Sequence, residues 1–279
     1  MRFALGRRFL EALHRLDPVP PGVACDDEAI GGVPGKLIVP DGVDASPRIL
    51  WLHGGGYCYG SPTIHSTFLA HLARMARLSV FAPAYRLAPE HPYPAALEDA
   101  LAVHRNLTAT AEPPVMAGDS AGGGLALAAA IELRDADEAP PQGLVLISPW
   151  VDLTCAGESV RVNAGHDALL KPQYLDRCAV AYAGGVPRLD PRVSPLFADL
   201  AELPPTLIHA GAEELLRSES VELARRLAGA GVAVEHRVFD GAWHDFHLHA
   251  GMLREADEAV GEIAAWVARN GAQVAGPRA

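Results

Sequence analysis

The sequence predicts an α/β fold in which a mostly parallel central sheet carries helices on both faces, and three observations lead there. Apolar runs such as Ile49-Leu50-Trp51-Leu52 and Leu144-Val145-Leu146-Ile147 are short and uninterrupted, as strands buried on both faces are. These runs alternate with longer stretches of helical periodicity, the signature of a parallel sheet covered on both sides. The third observation is Gly118-Asp119-Ser120-Ala121-Gly122, set between the apolar Pro114-Val115 and the small-residue run Leu125 to Leu133. A strand, a sharp turn and a helix are implied.

At 279 residues and 49% hydrophobic content, with no internal repeat or linker, the chain reads as a single domain, 1–279, around one large core. Its formal charge of −11 and the absence of a basic block argue against nucleic acid or an anionic membrane as partner. Neutral or cationic small molecules fit better. Cys25, Cys58, Cys155 and Cys178 are scattered without a C-x-x-C pair, so packed, reduced thiols are expected. Arg7, Arg8, Glu11 and Arg15 interrupt the apolar runs near the N-terminus, and no later stretch reaches about 18 apolar residues. A cytoplasmic protein without stable membrane association is the expectation.

In chain order, Phe3, Leu5, Phe9, Leu10, Leu13 and Leu16 recur at helical spacing until Asp17-Pro18, giving an amphipathic helix that needs a surface to dock on. Lys36 to Val39 reads as the first strand and Arg48 to Leu52 as the next. His53-Gly54-Gly55-Gly56-Tyr57 follows directly, and a glycine run after a buried strand leaves bare N–H groups that can approach a ligand closely. Ser79 to Ala82 is a strand. The proline-rich stretch Pro83 to Pro94 is a rigid connection that Arg86, Glu90 and Asp99 could tie down through ion pairs. Ala95 to Leu107 reads as a helix before the strand that leads to Ser120.

Beyond the strand Leu144 to Ser148, residues Thr154 to Gly185 read as an insertion without a strand. Asp167, Leu169, Leu170, Tyr174, Leu175, Cys178 and Tyr182 share a helix there, closed by Gly184-Gly185. Pro205 to His209 and Ala233 to Phe239 are the last two strands, the second at an edge. Leu253 to Val267 reads as a final helix with Ala256, Val260, Ile263, Ala264 and Val267 facing inward, and the tail 270–279 is expected to fray.

Gly118 to Gly122 fits G-x-S-x-G, whose serine takes a strained conformation between strand and helix and presents its hydroxyl outside the sheet. Three imidazoles lie close together at His244, His247 and His249, yet they lack H-E-x-x-H or helical i, i+4 spacing. No metal site is expected.

The His53 to Tyr57 and Gly118 to Gly123 stretches resemble the H-G-G-G and G-D-S-A-G-G motifs of the hormone-sensitive-lipase-like family of α/β-hydrolase esterases. Pro83 to Ala96 and Ser148-Pro149-Trp150-Val151-Asp152-Leu153 are similar to further family segments, so the resemblance covers nearly everything beyond about residue 35. It implies an α/β-hydrolase fold whose small helical cap is drawn from about 1–30 and 155–185. It also implies Ser120 as nucleophile, and His244, in Gly241-Ala242-Trp243-His244-Asp245-Phe246, as general base. Aligning the Leu215 to Glu219 tail puts the acid on Glu214. Glu213 is the alternative, because the family's Asp-Pro is missing here.

Serine, then acid, then histidine is the α/β-hydrolase order along a chain. By the same resemblance the N–H groups of Gly55, Gly56 and Ala121 form the oxyanion hole. The implied activity is hydrolysis of short- to medium-chain carboxylic esters through an acyl-enzyme, with a small-molecule ester as partner and neither metal nor organic cofactor. Exposed strand edges and the last helix could support a homodimer. Two alternatives stay open: a lactone, carbamate or acetylated small molecule cleaved by the same triad, and a non-catalytic small-ligand receptor on the same fold.

Overall fold

The apolar runs come together as one eight-stranded sheet in the computed structural model of the protein, which describes residues 3–14 and 18–271. The elements are α1 (Phe3–His14), β1 (Val23–Ile30), β2 (Val33–Pro40), β3 (Ile49–Leu52), α2 (Pro62–Ala76), β4 (Val80–Pro83), α3 (Ala95–Thr110) and β5 (Val115–Asp119). There follow α4 (Ala121–Asp135), β6 (Leu144–Ile147), α5 (Glu158–Val162), α6 (Pro172–Ala183), β7 (Thr206–Gly211), α7 (Arg217–Gly229), β8 (Val234–Phe239) and α8 (Arg254–Asn270). The strand order is β1-β2-β4-β3-β5-β6-β7-β8. β1 with β2 and β2 with β4 are antiparallel; every later pair is parallel.

The period-2 alternation of strands divides each apolar run between two cores. Leu50 and Leu52 of β3, Phe81 of β4 and Leu144 and Leu146 of β6 enter the core that holds Leu97 and Leu101 of α3 and Leu125 of α4. Ile49 and Trp51, Val80 and Ala82, and Val145 and Ile147 enter the other, with Phe68 and Leu72 of α2 and Val260, Ile263, Ala264 and Val267 of α8. Both faces are covered, so these strands carry no polar alternation.

Two expectations are corrected. The first strand is β1, paired antiparallel along its whole length with β2, which itself runs from Val33 rather than Lys36. β1 escapes notice because it is an edge strand: five of its residues are exposed, and Asp26, Asp27 and Glu28 are tolerated there. Gly31 and Gly32, with φ of 61° and 79°, make the two-residue hairpin turn that joins it to β2. The expected cap span of about 1–30 therefore loses residues 23–30 to the sheet.

The second correction concerns the insertion. Its helix α6 begins at Pro172, so Asp167, Leu169 and Leu170 precede it. Proline favours the first helical position because it lacks an N–H and fixes φ, and it holds the preceding Lys171 extended, at φ −132° and ψ 142°. Leu16 and residues 272–279 of the tail lie outside the described residues. All four cysteines are free. Among the described residues no helix is long and apolar enough to cross a membrane.

Parallel strands bring their carboxyl ends to a common edge, where ligands of open α/β sheets collect. The segments after β3, β5, β6, β7 and β8 all start there.

Candidate active site

Ser120 stands at the joint between β5 and α4 with φ 51° and ψ −120°. For a residue with a Cβ this is strained backbone, costing on the order of 1–3 kcal/mol, and it persists only where the surroundings enforce it. They do so through close packing: a Cβ on Gly122 would run into the Leu52 carbonyl, and one on Gly118 into the backbone of Gly122. The Ser120 N–H donates to Ile147 O at 2.8 Å, and Trp150 N–H donates to Ser120 O at 2.9 Å. The turn is thus stitched to β6 and the segment after it.

His244, on the segment after β8, places Nε2 2.9 Å from Ser120 Oγ. Behind the ring, Glu214 Oε2 lies 3.9 Å from Nδ1. Glu214 is fully buried, and its Oε2 accepts hydrogen bonds from Ser148 Oγ at 2.6 Å and Gly211 N at 2.9 Å. Glu213 points elsewhere: its side chain is 45% exposed and 3.9 Å from His166 Nδ1. Of the two glutamates, Glu214 is the one whose carboxylate faces His244. The neighbouring imidazoles disperse, with His247 Nε2 on His209 Nδ1 at 3.2 Å and the His249 ring 5.6 Å from that of Trp243.

Burial sets the electrostatics. It pushes the Glu214 carboxyl up to about 7 and that of Asp245 up to about 6, with the His244 charge pulling both back. For His244 burial alone would disfavour the cation, but the Asp245 charge and hydrogen bond, then Glu214, outweigh it and push the imidazole up to about 9.

Gly55 and Gly56 follow β3 with φ of 119° and 62°. Cys58 N and Tyr59 N donate to Gly55 O, while among the described residues no hydrogen bond uses the N–H of Gly55 or Gly56. Ala121, first residue of α4, has no helical carbonyl four positions back to bond, so its N–H is also available. These three residues and Ser120 follow the carboxyl ends of β3 and β5.

Asp119 holds those mouths together, a role the sequence reading missed. Its Oδ1 accepts from Trp51 Nε1 at 2.9 Å, and its Oδ2 meets Gly54 N at 2.9 Å and His65 Nε2 at 3.0 Å. Burial opposes charge on both partners, yet their attraction prevails, raising His65 and lowering Asp119 from their ordinary values. A carboxylate closing an otherwise apolar strand was the available signal, since a buried charge must be paired. For His65, seated among the apolar residues of α2, the sequence carries none.

Above the site is a cavity of about 590 Å³. Phe9 and Leu10 of α1, Leu170 before α6, Tyr174 and Leu175 of α6, and Ile64 and Leu248 line its apolar part; Ser120, His244 and Asp245 lie among its polar residues. α1 is fastened by Arg7, whose Nε donates to Cys58 O at 2.6 Å and whose Nη2 reaches Ala88 O at 2.5 Å and Glu90 Oε2 at 2.8 Å. Arg86 in turn fixes the proline-rich connection through Asp99 at 2.8 Å and Glu98 at 2.8 Å.

Comparison with known proteins bears on the fold and the family. A family model described as an alpha/beta hydrolase fold matches residues 49–248. An esterase of Acinetobacter venetianus is 37% identical over 262 residues, spanning 92% of this chain and 86% of its own. An acetyl-hydrolase of Streptomyces hygroscopicus is 38% identical over 245 residues, spanning 87% of this chain and 81% of its own. Among solved structures, a hormone-sensitive lipase from a metagenome library matches with a TM-score of 0.94 at 38% identity, over 98% of this chain and 92% of that one.

Proposed function

The chain belongs to the hormone-sensitive-lipase-like family of α/β-hydrolases and is a serine carboxylesterase, and from that premise we propose that it cleaves short- to medium-chain acyl esters with Ser120, His244 and Glu214. The observation that carries this reading is the 2.9 Å approach of His244 Nε2 to Ser120 Oγ, with Glu214 buried behind the ring. A serine hydroxyl is a weak nucleophile until a base takes its proton. As Oγ bonds to the acyl carbon, Nε2 receives that proton, and the carbonyl oxygen becomes an anion held by the N–H groups of Gly55, Gly56 and Ala121. Each such donor is worth roughly a hundredfold to a thousandfold in turnover.

Collapse of the tetrahedral intermediate breaks the bond to the alcohol, which leaves with the proton from Nε2. Water then attacks the acyl-Ser120 by the same route, and carboxylic acid departs. Glu214 keeps the second ring proton on Nδ1 and stabilises the imidazolium. Its 3.9 Å separation from Nδ1 is a distance of the kind that closes when substrate binds.

A p-nitrophenyl acyl series from acetate to palmitate tests the proposal. Turnover is expected to peak between the two- and eight-carbon acyl chains and to fall to near background at palmitate, as suits a cavity in the size range of small-ligand sites. A maximum at palmitate would overturn the chain-length assignment, and inertness toward every ester would overturn the assigned chemistry.

The pH profile is a second check. Base catalysis needs neutral His244, and its neighbours push that group up to about 9. Below that pH, kcat/KM for p-nitrophenyl butyrate should therefore drop about tenfold per unit, levelling above it. A profile flat from pH 6 to 9 would contradict this assignment of the base.

A further inference from the structure

Asp245 stands one residue beyond the base, and beyond raising His244 it has been given no step in the chemistry above. Its φ of 54° lies in the left-handed region that Asp, Asn and Gly tolerate best, and its Oδ2 lies 3.0 Å from His244 Nε2. That is the same nitrogen that meets Ser120 Oγ at 2.9 Å. A neutral imidazole has one N–H and one lone pair. If the proton sits on Nε2 it bonds Asp245, and no lone pair remains for Ser120. If the lone pair sits there, it faces a carboxylate as well as the hydroxyl. In either case Asp245, left to itself, opposes the form of His244 that activates the nucleophile.

The carboxylate also has unused accepting capacity. An ionised carboxylate offers about four acceptor positions. Oδ1 is buried with no hydrogen-bond partner among the described residues, and the side chain, 8% exposed, borders the cavity. The other imidazole nearby, His65, is held by Asp119 at 3.0 Å. Among the described residues His244 is the one side chain that meets this carboxylate, and a further donor can come from the cavity that Asp245 lines.

We propose that Asp245 sets substrate specificity by accepting a hydrogen bond from a hydroxyl or ammonium group vicinal to the scissile ester oxygen, so that the favoured substrates are partial esters of diols, polyols or amino alcohols. This rests on the esterase reading of the same site. The placement follows from the roles already assigned. His244 Nε2 delivers its proton to the leaving oxygen across a hydrogen bond of about 3 Å. Asp245 Oδ2 lies 3.0 Å from that nitrogen, so a donor on the adjacent carbon of the leaving alcohol falls within its reach. Accepting that bond draws the carboxylate from Nε2 and leaves the lone pair to Ser120.

The test compares kcat/KM for 2-hydroxyethyl butyrate and propyl butyrate, nearly equal in shape and differing in the terminal hydroxyl, with p-nitrophenyl butyrate as control. The wild type is expected to favour the hydroxyethyl ester by roughly ten- to a hundredfold, the value of a hydrogen bond to a charged group. Asp245→Gly, which suits the positive φ and removes the acceptor, should bring the ratio within about twofold of unity. Asp245→Asn, which keeps size and fold, should lower it at least about threefold, because the amide accepts without charge. A wild-type ratio near one with p-nitrophenyl butyrate still cleaved overturns this proposal alone, as does a ratio unchanged in either folded variant. A wild type inert toward all three esters overturns the esterase reading and this proposal with it.

Discussion

Ser120→Ala is expected to lower kcat on p-nitrophenyl butyrate by roughly 10⁴–10⁶-fold, with the circular dichroism spectrum unchanged. The hydroxyl removed is the only group proposed to bond covalently to the acyl carbon, so what survives is the background that the oxyanion donors and the cavity can sustain on their own. His244→Ala should cost about as much, and the double variant hardly more than either. Groups that act as one unit cannot be lost twice. Additive losses, or a single variant within about tenfold of wild type, would show that Ser120 and His244 do not act as nucleophile and base. The same variant separates chemistry from binding: a substrate that still saturates the Ser120→Ala protein with its wild-type KM is held by the cavity alone.

The sheet was legible because its information is local. Ile49–Leu52, Val80–Pro83 and Leu144–Ile147 are buried throughout, and a strand covered on both faces cannot hide among polar residues. β1 was not legible for the converse reason. An edge strand needs one neighbour and little burial, so its acidic residues read as loop, and only Gly31-Gly32 marked the hairpin. Ser120 announced itself through the glycines that its turn requires. Glu214 came only through the family resemblance, with Glu213 left beside it, because what sets a carboxylate behind His244 is long-range packing: it lies in the segment after β7 and accepts from Ser148, 66 residues away. Asp119 and Asp245 sat in view beside the expected residues, but their roles depend on which donors fold against them.

Glu214→Gln should reduce kcat by about 10³–10⁴-fold, while Glu213→Gln stays within about twofold of wild type. The difference follows from what surrounds each carboxylate. The Glu213 side chain is 45% exposed and faces His166. Glu214 Oε2 accepts from both Ser148 Oγ and Gly211 N and is the atom facing His244 Nδ1. A glutamine that keeps its carbonyl oxygen at that point satisfies Ser148 and Gly211 but brings no charge to the imidazolium that forms during attack. A glutamine turned the other way sets its NH₂ against two donors and against Nδ1–H, which drives the ring proton to Nε2, beside Asp245. That tautomer cannot take the proton of Ser120. Both orientations are therefore deficient: the lost charge moves the acidic limb of the pH–rate profile to lower pH in either, and the wrong tautomer depresses the plateau further. If Glu213→Gln is instead the crippling change, or Glu214→Gln remains within about tenfold of wild type, the acid has been assigned to the wrong residue.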